Sequence, residues 1–454
     1  MKRVLIANRG EIALRAARAC RKLGLESVAV YSAADCNSPH LWAADRAICI
    51  GPPPASASYL NAASLIEVAR RTNCDAVYPG YGFLSENSEF ARQCDDAGLV
   101  FVGPPPEAIA LMGDKVAARR TASSLGIPIV PGSEQGFLAA AAAAPFAEEI
   151  GFPLLLKASG GGGGRGMRTV RHADEFAAQF EQATAEAQAS FGRADIYLEC
   201  FFPRVRHVEV QVFRDRHGTS AHLWERDCSV QRRHQKLVEE APSPTLRGGA
   251  RREMAEAALA LIESLDYENA GTVEFIHDVE SERYFFIEMN TRIQVEHPVT
   301  EMLTGIDLVA EQFRVAAGDP LSFATPGAPH GRCAIEFRIN AEDAAHDFRP
   351  APGRLTIWRP PAGPGLRLDS HAYQGYDVPP YYDSLLGKLI VCADSRMQAI
   401  EAARHALRCF EVAGIETTIP FHADLITRAE FERGELHTKW VEDHFIGMEQ
   451  HVGQ

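Results

Sequence analysis

Leu154-Leu155-Leu156-Lys157-Ala158-Ser159-Gly160-Gly161-Gly162-Gly163-Gly164-Arg165-Gly166-Met167 passes from a run that reads as a strand straight into an exposed, glycine-rich turn. Five consecutive glycines have no side chains to pack, and ordering them costs more backbone entropy than any other residue type. Glycine runs also serve as flexible connections. Here Lys157 stands directly before the run and Arg165 within it, so positive charge accompanies exposed backbone N–H groups. That combination suits a mobile flap over nucleotide phosphates. It is not a Walker A loop, because no Gly-Lys-Ser or Gly-Lys-Thr closes it.

Working outward, the alanine run 139–144 favours a helix closed by Gly151-Phe152-Pro153, and a second helix is expected over about 173–190, before a strand at 196–199. Toward the N-terminus, strand candidates at 4–7, 28–31, 76–78 and 99–102 alternate with helices at 11–23, 60–71 and 85–97. This is the pattern of an open α/β domain with a largely parallel sheet. One helical segment follows at 107–125. No GxGxxG follows the first strand, so a dinucleotide fingerprint is absent. Beyond the flap, alternation over 207–214, 272–276 and 284–290 reads as antiparallel strands with one wet face. Helices are expected at 250–265 and 305–317. The Pro-, Gly- and Ser-rich segment 319–331 reads as a linker, leading to a smaller α+β domain with strands at 334–339 and 387–391 and a helix near 397–410.

A chain of 454 residues is expected to divide into roughly two to four domains or subdomains. Lys and Arg total 46 against 60 Asp and Glu, a formal net charge of -14. Nonspecific binding to nucleic acid or to an anionic membrane is therefore a poor default, and any phosphate site must be a local positive pocket. The ten cysteines stand singly, without a CxxC pair, as thiols do in a reducing compartment. His222, Cys228 and His234 are close in sequence but lack a zinc ligand-pair motif. Val4-Leu5-Ile6-Ala7 is far shorter than a signal-peptide core or a membrane span of roughly 20 residues, which leaves the cytoplasm as the expected location.

The richest run is Phe286-Ile287-Glu288-Met289-Asn290-Thr291-Arg292-Ile293-Gln294-Val295-Glu296-His297. If it stays extended, Glu288, Asn290, Arg292, Gln294 and Glu296 share one face, while Ile287, Met289 and Ile293 face a core. Glu274, in Val273-Glu274-Phe275, has a comparable setting. Two carboxylates and an amide oxygen suit a hard cation such as Mg²⁺ or Mn²⁺, with Arg292 poised for a second anion beside it. A solvated edge strand would explain the alternation but not the accumulation of versatile side chains on one side. The locally basic stretch from Glu225 to Lys236 lacks the interleaved aromatics of a nucleic-acid patch and fits a positive wall for phosphates. Alone, Lys115 reads as a solvated surface lysine. His207 and His234 are either neutral donors near a nucleotide or packed polar histidines.

In order along the chain, these segments resemble the biotin carboxylase family within the ATP-grasp fold. The likeness rests on Ile6-Ala7-Asn8-Arg9-Gly10-Glu11-Ile12-Ala13, Pro79-Gly80-Tyr81-Gly82-Phe83-Leu84-Ser85-Glu86-Asn87, Leu111-Met112-Gly113-Asp114-Lys115 and the glycine loop. It continues through Glu225-Arg226-Asp227-Cys228-Ser229, Gln231-Arg232-Arg233-His234-Gln235-Lys236, residues 288–300, Arg338-Ile339-Asn340-Ala341-Glu342-Asp343 and Pro380-Tyr381-Tyr382-Asp383-Ser384. The resemblance implies an N-terminal α/β domain at 1–113, an ATP-grasp domain at 114–318 with a movable lid near 130–203, and a C-terminal domain at 331–446.

Members carboxylate biotin on a carrier protein, using ATP and bicarbonate to form carboxyphosphate. By resemblance, Lys115, Lys157, Gly162, Gly163 and Gly164 contact ATP, Glu199 faces adenine, and His207, Gln231 and His234 belong to the nucleotide site. Glu274, Glu288 and Asn290 organise Mg²⁺ or Mn²⁺. Lys236, Arg292, Gln294 and the Val295 backbone bind bicarbonate, Glu296 is its general base, and Arg338 stabilises the biotin enolate. Cys200 departs from the lysine often found there, which touches adenine-pocket affinity more than the reaction. No Ala-Met-Lys-Met biotin-attachment motif is present, so a biotin carboxyl carrier protein and a carboxyltransferase are expected in trans, with acetyl-CoA or another acceptor, and a homodimer is expected. An ATP-grasp carboxylate–amine ligase and a noncatalytic nucleotide-responsive binding module remain as alternatives.

Overall fold

The first apolar runs become parallel strands because both of their faces are buried. In a computed structural model that describes residues 1–158, 166–192, 194–328 and 331–445, β1 (Arg3–Ile6), β2 (Glu26–Ser32), β3 (Arg46–Gly51), β4 (Ala76–Tyr78) and β5 (Val100–Phe101) form one sheet. Its order is β3-β2-β1-β4-β5, and every pairing is parallel. Val4, Leu5, Ile6, Val28, Val30 and Val77 are fully buried, as sandwiched strands require. β3 carries mostly exposed or half-exposed residues at the sheet edge, which hid it from the sequence pattern. The strand order reverses between β1 and β4. Crevices for ligands open at such a point, beyond the carboxyl ends of the strands. Asn8, Arg9 and Gly10 after β1, and Tyr81, Gly82 and Phe83 after β4, line a cleft there.

The single helix expected at 107–125 is two helices, Pro106–Gly113 and Lys115–Ser124. Asp114 breaks them apart by capping the second, its Oδ1 accepting from the N–H groups of Val116 at 2.9 Å and Ala117 at 3.0 Å. Lys115 is thereby placed at the start of a helix that borders the cleft. Next come β6 (Leu154–Ala158), β7 (Met167–Val170) and β8 (Ile196–Cys200), a small antiparallel sheet. Leu154, Leu156, Ile196 and Leu198 pack there against Ala143 and Ala147 of helix Ala140–Ile150 and Phe176 and Phe180 of helix Phe176–Phe191. Gly162, Gly163, Gly164 and Arg165 lie outside the described residues.

The centre is an antiparallel sheet built from β9 (Val205–Arg214), β10 (Ser220–Arg232), β11 (Gln235–Ala241), β12 (Asn269–Asp278), β13 (Arg283–Asn290), β14 (Cys333–Asn340) and strands Leu366–Ser370 and Leu385–Ala393. Across the sheet the order is β13-β12-β9-β10-β11-β14, then Leu385–Ala393 and Leu366–Ser370. The face expected to be wet is dry. Glu209 and Gln211 on β9 are 0% exposed, because Arg226 of β10 donates to Glu209 at 2.6 Å and to Gln211 at 2.9 Å. Polar alternation marked an internal ion-pair layer rather than solvent. β10 and β11, neither anticipated as strands, are joined by a two-residue turn at Arg233 and His234 with φ 47° and 65°, the twist that tight hairpins favour. β14 pairs with β11, so the C-terminal part extends the central sheet instead of standing apart. Its core includes Val230, Leu237 and Val238 from β10 and β11. Among the described residues no helix is long and apolar enough to cross a membrane.

Candidate active site

The three regions close around one cleft of about 1990 Å³. Lys115, Lys157, Glu199, His207, Gln231, His234 and Lys236 line it, as do Glu274, Glu288, Asn290, Arg292, Gln294, Val295 and Arg338. Of the described residues with an expected site role, only Glu296 does not: it is 0% exposed, one layer behind Lys236 and Arg338.

Lys236 sits at the centre of the charge pattern. Its ammonium donates to Glu209 at 2.6 Å, Glu296 at 2.7 Å and Glu274 at 2.9 Å. Arg338 donates from Nε to Glu239 at 2.6 Å and from a terminal nitrogen to Glu296 at 3.0 Å. Burial alone would raise the Glu296 carboxyl, but Lys236, Arg338 and Arg226 outweigh burial and hold it well below the usual carboxylate range. Glu274 is likewise lowered, by Lys236 and His207 against burial. The same carboxylates push the Lys236 ammonium well up, despite its burial. These groups are a fixed, dry array of opposite charges, which is the arrangement that binds and polarises small anions.

At the nucleotide-facing end, Lys157 is ion-paired with Glu199. Arg119 donates to Glu199 at 2.6 Å and to the Val130 carbonyl at 2.9 Å. Lys115 Nζ lies 3.7 Å from Glu288. Glu274 and Glu288 are register partners on β12 and β13, and the Asn290 amide donates to Glu274 at 2.8 Å. Two carboxylates and an amide oxygen gathered at the cleft wall are hard oxygen donors, so the residues fit a divalent cation of the Mg²⁺ or Mn²⁺ kind.

The run 286–297 does not stay extended as the alternation suggested. β13 ends at Asn290, and helix His297–Thr304 starts directly after Glu296. A register shift sets Glu274 against Glu288 but Phe275 against Phe286, which makes Ile287 the extra residue of a bulge. Ile287 therefore lines the cleft instead of a core, whereas Met289 and Ile293 are buried. Past the strand, convergence depends on tertiary partners. Arg292 donates to Glu86 at 2.8 Å, to Gln294 at 3.0 Å and to Asn290 at 3.1 Å.

Several residues that hold this site carried no signal of their own. Glu86, Glu209 and Arg226 are such cases. Lys388 is another: it is fully buried and donates to the Val295 carbonyl at 2.8 Å, which fixes that peptide beside Gln294. Cys200 is half-buried at the cleft, and its N–H donates to the Pro131 carbonyl at 2.8 Å.

Comparison with known proteins adds the family. The family descriptions "Biotin carboxylase, N-terminal domain", "Carbamoyl-phosphate synthase L chain, ATP binding domain" and "Biotin carboxylase C-terminal domain" match residues 1–109, 114–324 and 336–443. A biotin carboxylase of Nostoc sp. is 50% identical, over 97% of this chain and 98% of that protein. The chain belongs to the biotin carboxylase family. Other relatives include a pyruvate carboxylase component of Methanothermobacter thermautotrophicus, 46% identical over 98% of this chain and 91% of that one. Among solved biotin carboxylase structures, the domain dimer of Hydrogenobacter thermophilus 2-oxoglutarate carboxylase, in complex with MgADP, ADP and bicarbonate, is 44% identical. It superposes with a TM-score of 0.92, covering 98% of this chain and 97% of that one. A Campylobacter jejuni biotin carboxylase bound to β,γ-ATP is 43% identical with a TM-score of 0.91, covering 98% and 99%. The ATP-grasp, multidomain α/β architecture is shared with these biotin carboxylases.

Proposed function

We propose that this chain carboxylates biotin borne on a separate carrier protein, consuming ATP and bicarbonate and yielding carboxybiotin, ADP and phosphate. The observation that carries the proposal is the single cleft that unites Lys115 and Lys157, the Glu274–Glu288–Asn290 donor set, and the cations Lys236, Arg292 and Arg338. In the first step a bicarbonate oxygen attacks the γ-phosphorus and the bond to the bridging oxygen of ADP breaks, giving carboxyphosphate. A divalent cation at Glu274, Glu288 and Asn290 would offset phosphate charge during that transfer. Lys115 and Lys157 steady the phosphates, together with Gly162, Gly163 and Gly164. Glu199, His207, Gln231 and His234 border the nucleotide.

Lys236, Arg292, Gln294 and the Val295 peptide receive bicarbonate. Glu296 is already anionic, so it stands ready as a base, but Lys236 and Arg338 cover it. An arriving anion gives those cations a second partner and weakens their hold, which raises the proton affinity of Glu296 when bicarbonate must lose its proton. In the second step the carboxyl group passes to biotin N1′ and phosphate leaves, taking the N1′ proton. Arg338 then faces the developing enolate.

The carrier and a carboxyltransferase act in trans, and the latter sets the acceptor, whether acetyl-CoA or another. Relatives belonging to pyruvate and methylcrotonoyl-CoA carboxylases support this division of labour. A homodimer is supported by the dimeric 2-oxoglutarate carboxylase domain. Ten free cysteines fit a cytoplasmic setting. ADP production with Mg²⁺, measured with and without bicarbonate and biotin and coupled to detection of carboxybiotin, tests the proposal. Product that needs both is expected. ADP release driven by an amine and a carboxylate instead of biotin would assign the chain to another ATP-grasp ligase.

A further inference from the structure

Behind Arg338 lie two carboxyls that the reaction above leaves unused. Glu239 on β11 and Glu336 on β14 face each other in the antiparallel register, and both are 0% exposed. Arg338 Nε occupies one oxygen of Glu239. The other oxygen of Glu239 and both oxygens of Glu336 find no hydrogen-bond partner among the described residues. Bare ionised oxygens in a dry sheet have lost their hydration with nothing in exchange.

The surrounding groups do not supply the missing donor. Lys388, on the strand next to β14, gives its ammonium to the Val295 carbonyl and to Glu11, with Asp369 close by. Arg338 is divided between Glu239 and Glu296. Arg15 and Arg367 are taken by Glu301, Asp307 and Asp369, and Arg396 by Glu240. His297 hydrogen-bonds through Nδ1 to the Gln294 carbonyl and is held neutral, chiefly by burial, so its Nε2 is one more acceptor without a donor. Acceptors thus outnumber donors around Glu336, and a proton on the pair restores the balance.

We propose that Glu239 and Glu336 share one proton and act as the positioning unit for Arg338, keeping a single negative charge behind its guanidinium. Cross-strand partners have β-carbons about 5 Å apart, close enough for their carboxyls to meet. Burial, the largest cause, pushes Glu336 well above the ordinary carboxylate range and Glu239 up to about 7. One charge anchors the inner edge of the guanidinium and leaves the outer edge to Glu296 and to the biotin enolate. A second charge, on loss of the proton, draws Arg338 inward, away from the enolate.

The functional half of this rests on the biotin carboxylase reading, so the test joins kinetics to a spectroscopic readout. E336Q, isosteric with the protonated acid, keeps biotin kcat/KM within about threefold of wild type near neutral pH and sustains it further up the alkaline side. E239Q removes the acceptor of Arg338 Nε and lowers kcat with biotin about 10- to 100-fold while the KM for ATP holds. The infrared band of a buried protonated carboxyl is present in the wild-type protein at neutral pH and lost in E336Q. An E336Q enzyme as damaged as E239Q, or one with the wild-type alkaline limb, overturns the proposal. Absence of the infrared band in wild type overturns it as well, whatever the protein carboxylates. A band that E336Q removes, in a protein that makes no carboxybiotin, upholds the pair and overturns the functional reading alone.

Discussion

Replacing Lys236 with methionine removes the ammonium that three buried carboxylates share. Its contacts are 2.6 Å to Glu209, 2.7 Å to Glu296 and 2.9 Å to Glu274, and the side chains of those acids are 0%, 0% and 7% exposed. Methionine fills the stem's volume but offers no donor. Removing one partner of a buried ion pair costs roughly 3–5 kcal/mol, because the charge left behind is uncompensated. Arg226 still holds Glu209 and Arg338 still holds Glu296, so the loss is expected at the lower end, about 3 kcal/mol. The pH dependence follows from the lowered carboxyls of Glu274 and Glu296. Such groups add stability above their unfolded value, near pH 4, and lose it as pH falls through the native one. K236M relieves the depression, so its deficit is full at about pH 7 to 8 and closes as pH falls toward about 4. Urea unfolding across that range, run beside carboxybiotin formation, gives both readings. Activity falls more than about 100-fold, the equivalent of about 3 kcal/mol in the barrier. A wild-type unfolding midpoint at pH 8, or a deficit that grows in acid, would refute this reasoning.

Three further outcomes follow from neighbouring contacts. Arg292 and Glu86 lie 2.8 Å apart but are 18% and 40% exposed, so solvent screening limits the pair to about 1 kcal/mol. E86Q should raise the KM for bicarbonate up to about fivefold with kcat intact; a collapse of kcat would show that Glu86 does more than hold Arg292. R119M frees Glu199 to draw Lys157 inward and should raise the KM for ATP about tenfold without changing that for bicarbonate; equal changes in both would contradict the separation of the two subsites. E288Q should raise the Mg²⁺ concentration for half-maximal activity about tenfold, with chelation abolishing turnover and Mn²⁺ restoring it. An unchanged metal requirement would remove Glu288 from the donor set.

The parallel N-terminal sheet was legible because strands buried on both faces leave unbroken apolar runs such as Val4 to Ile6. β10 was not, because its buried face is made of charged residues: Arg226 is 0% and Asp227 2% exposed. In sequence that segment reads as a polar wall, and only mutual neutralisation across strands lets it lie inside. Asp114 similarly concealed a helix break within a segment of continuous helical propensity. Within the site, the alternation from Glu288 to Glu296 pointed to the right residues for partly the wrong reason. A bulge at Ile287 and the turn after Asn290 bring them together, not a shared strand face. Glu86 and Lys388 were silent because their partners, Arg292 and Val295, stand 206 and 93 residues away. Tertiary electrostatics leaves no local pattern to read.

The central claim is that bicarbonate attacks the γ-phosphorus of ATP and that its carboxyl carbon later departs for biotin. Turnover with ¹⁸O-labelled bicarbonate follows the oxygen directly, because the attacking atom stays with phosphorus when the carboxyl group leaves. One labelled oxygen in each inorganic phosphate, formed in step with carboxybiotin, is the result predicted. Unlabelled phosphate accompanying carboxybiotin would contradict the account, since ATP would then be cleaved by water and not by bicarbonate held at Lys236 and Arg292.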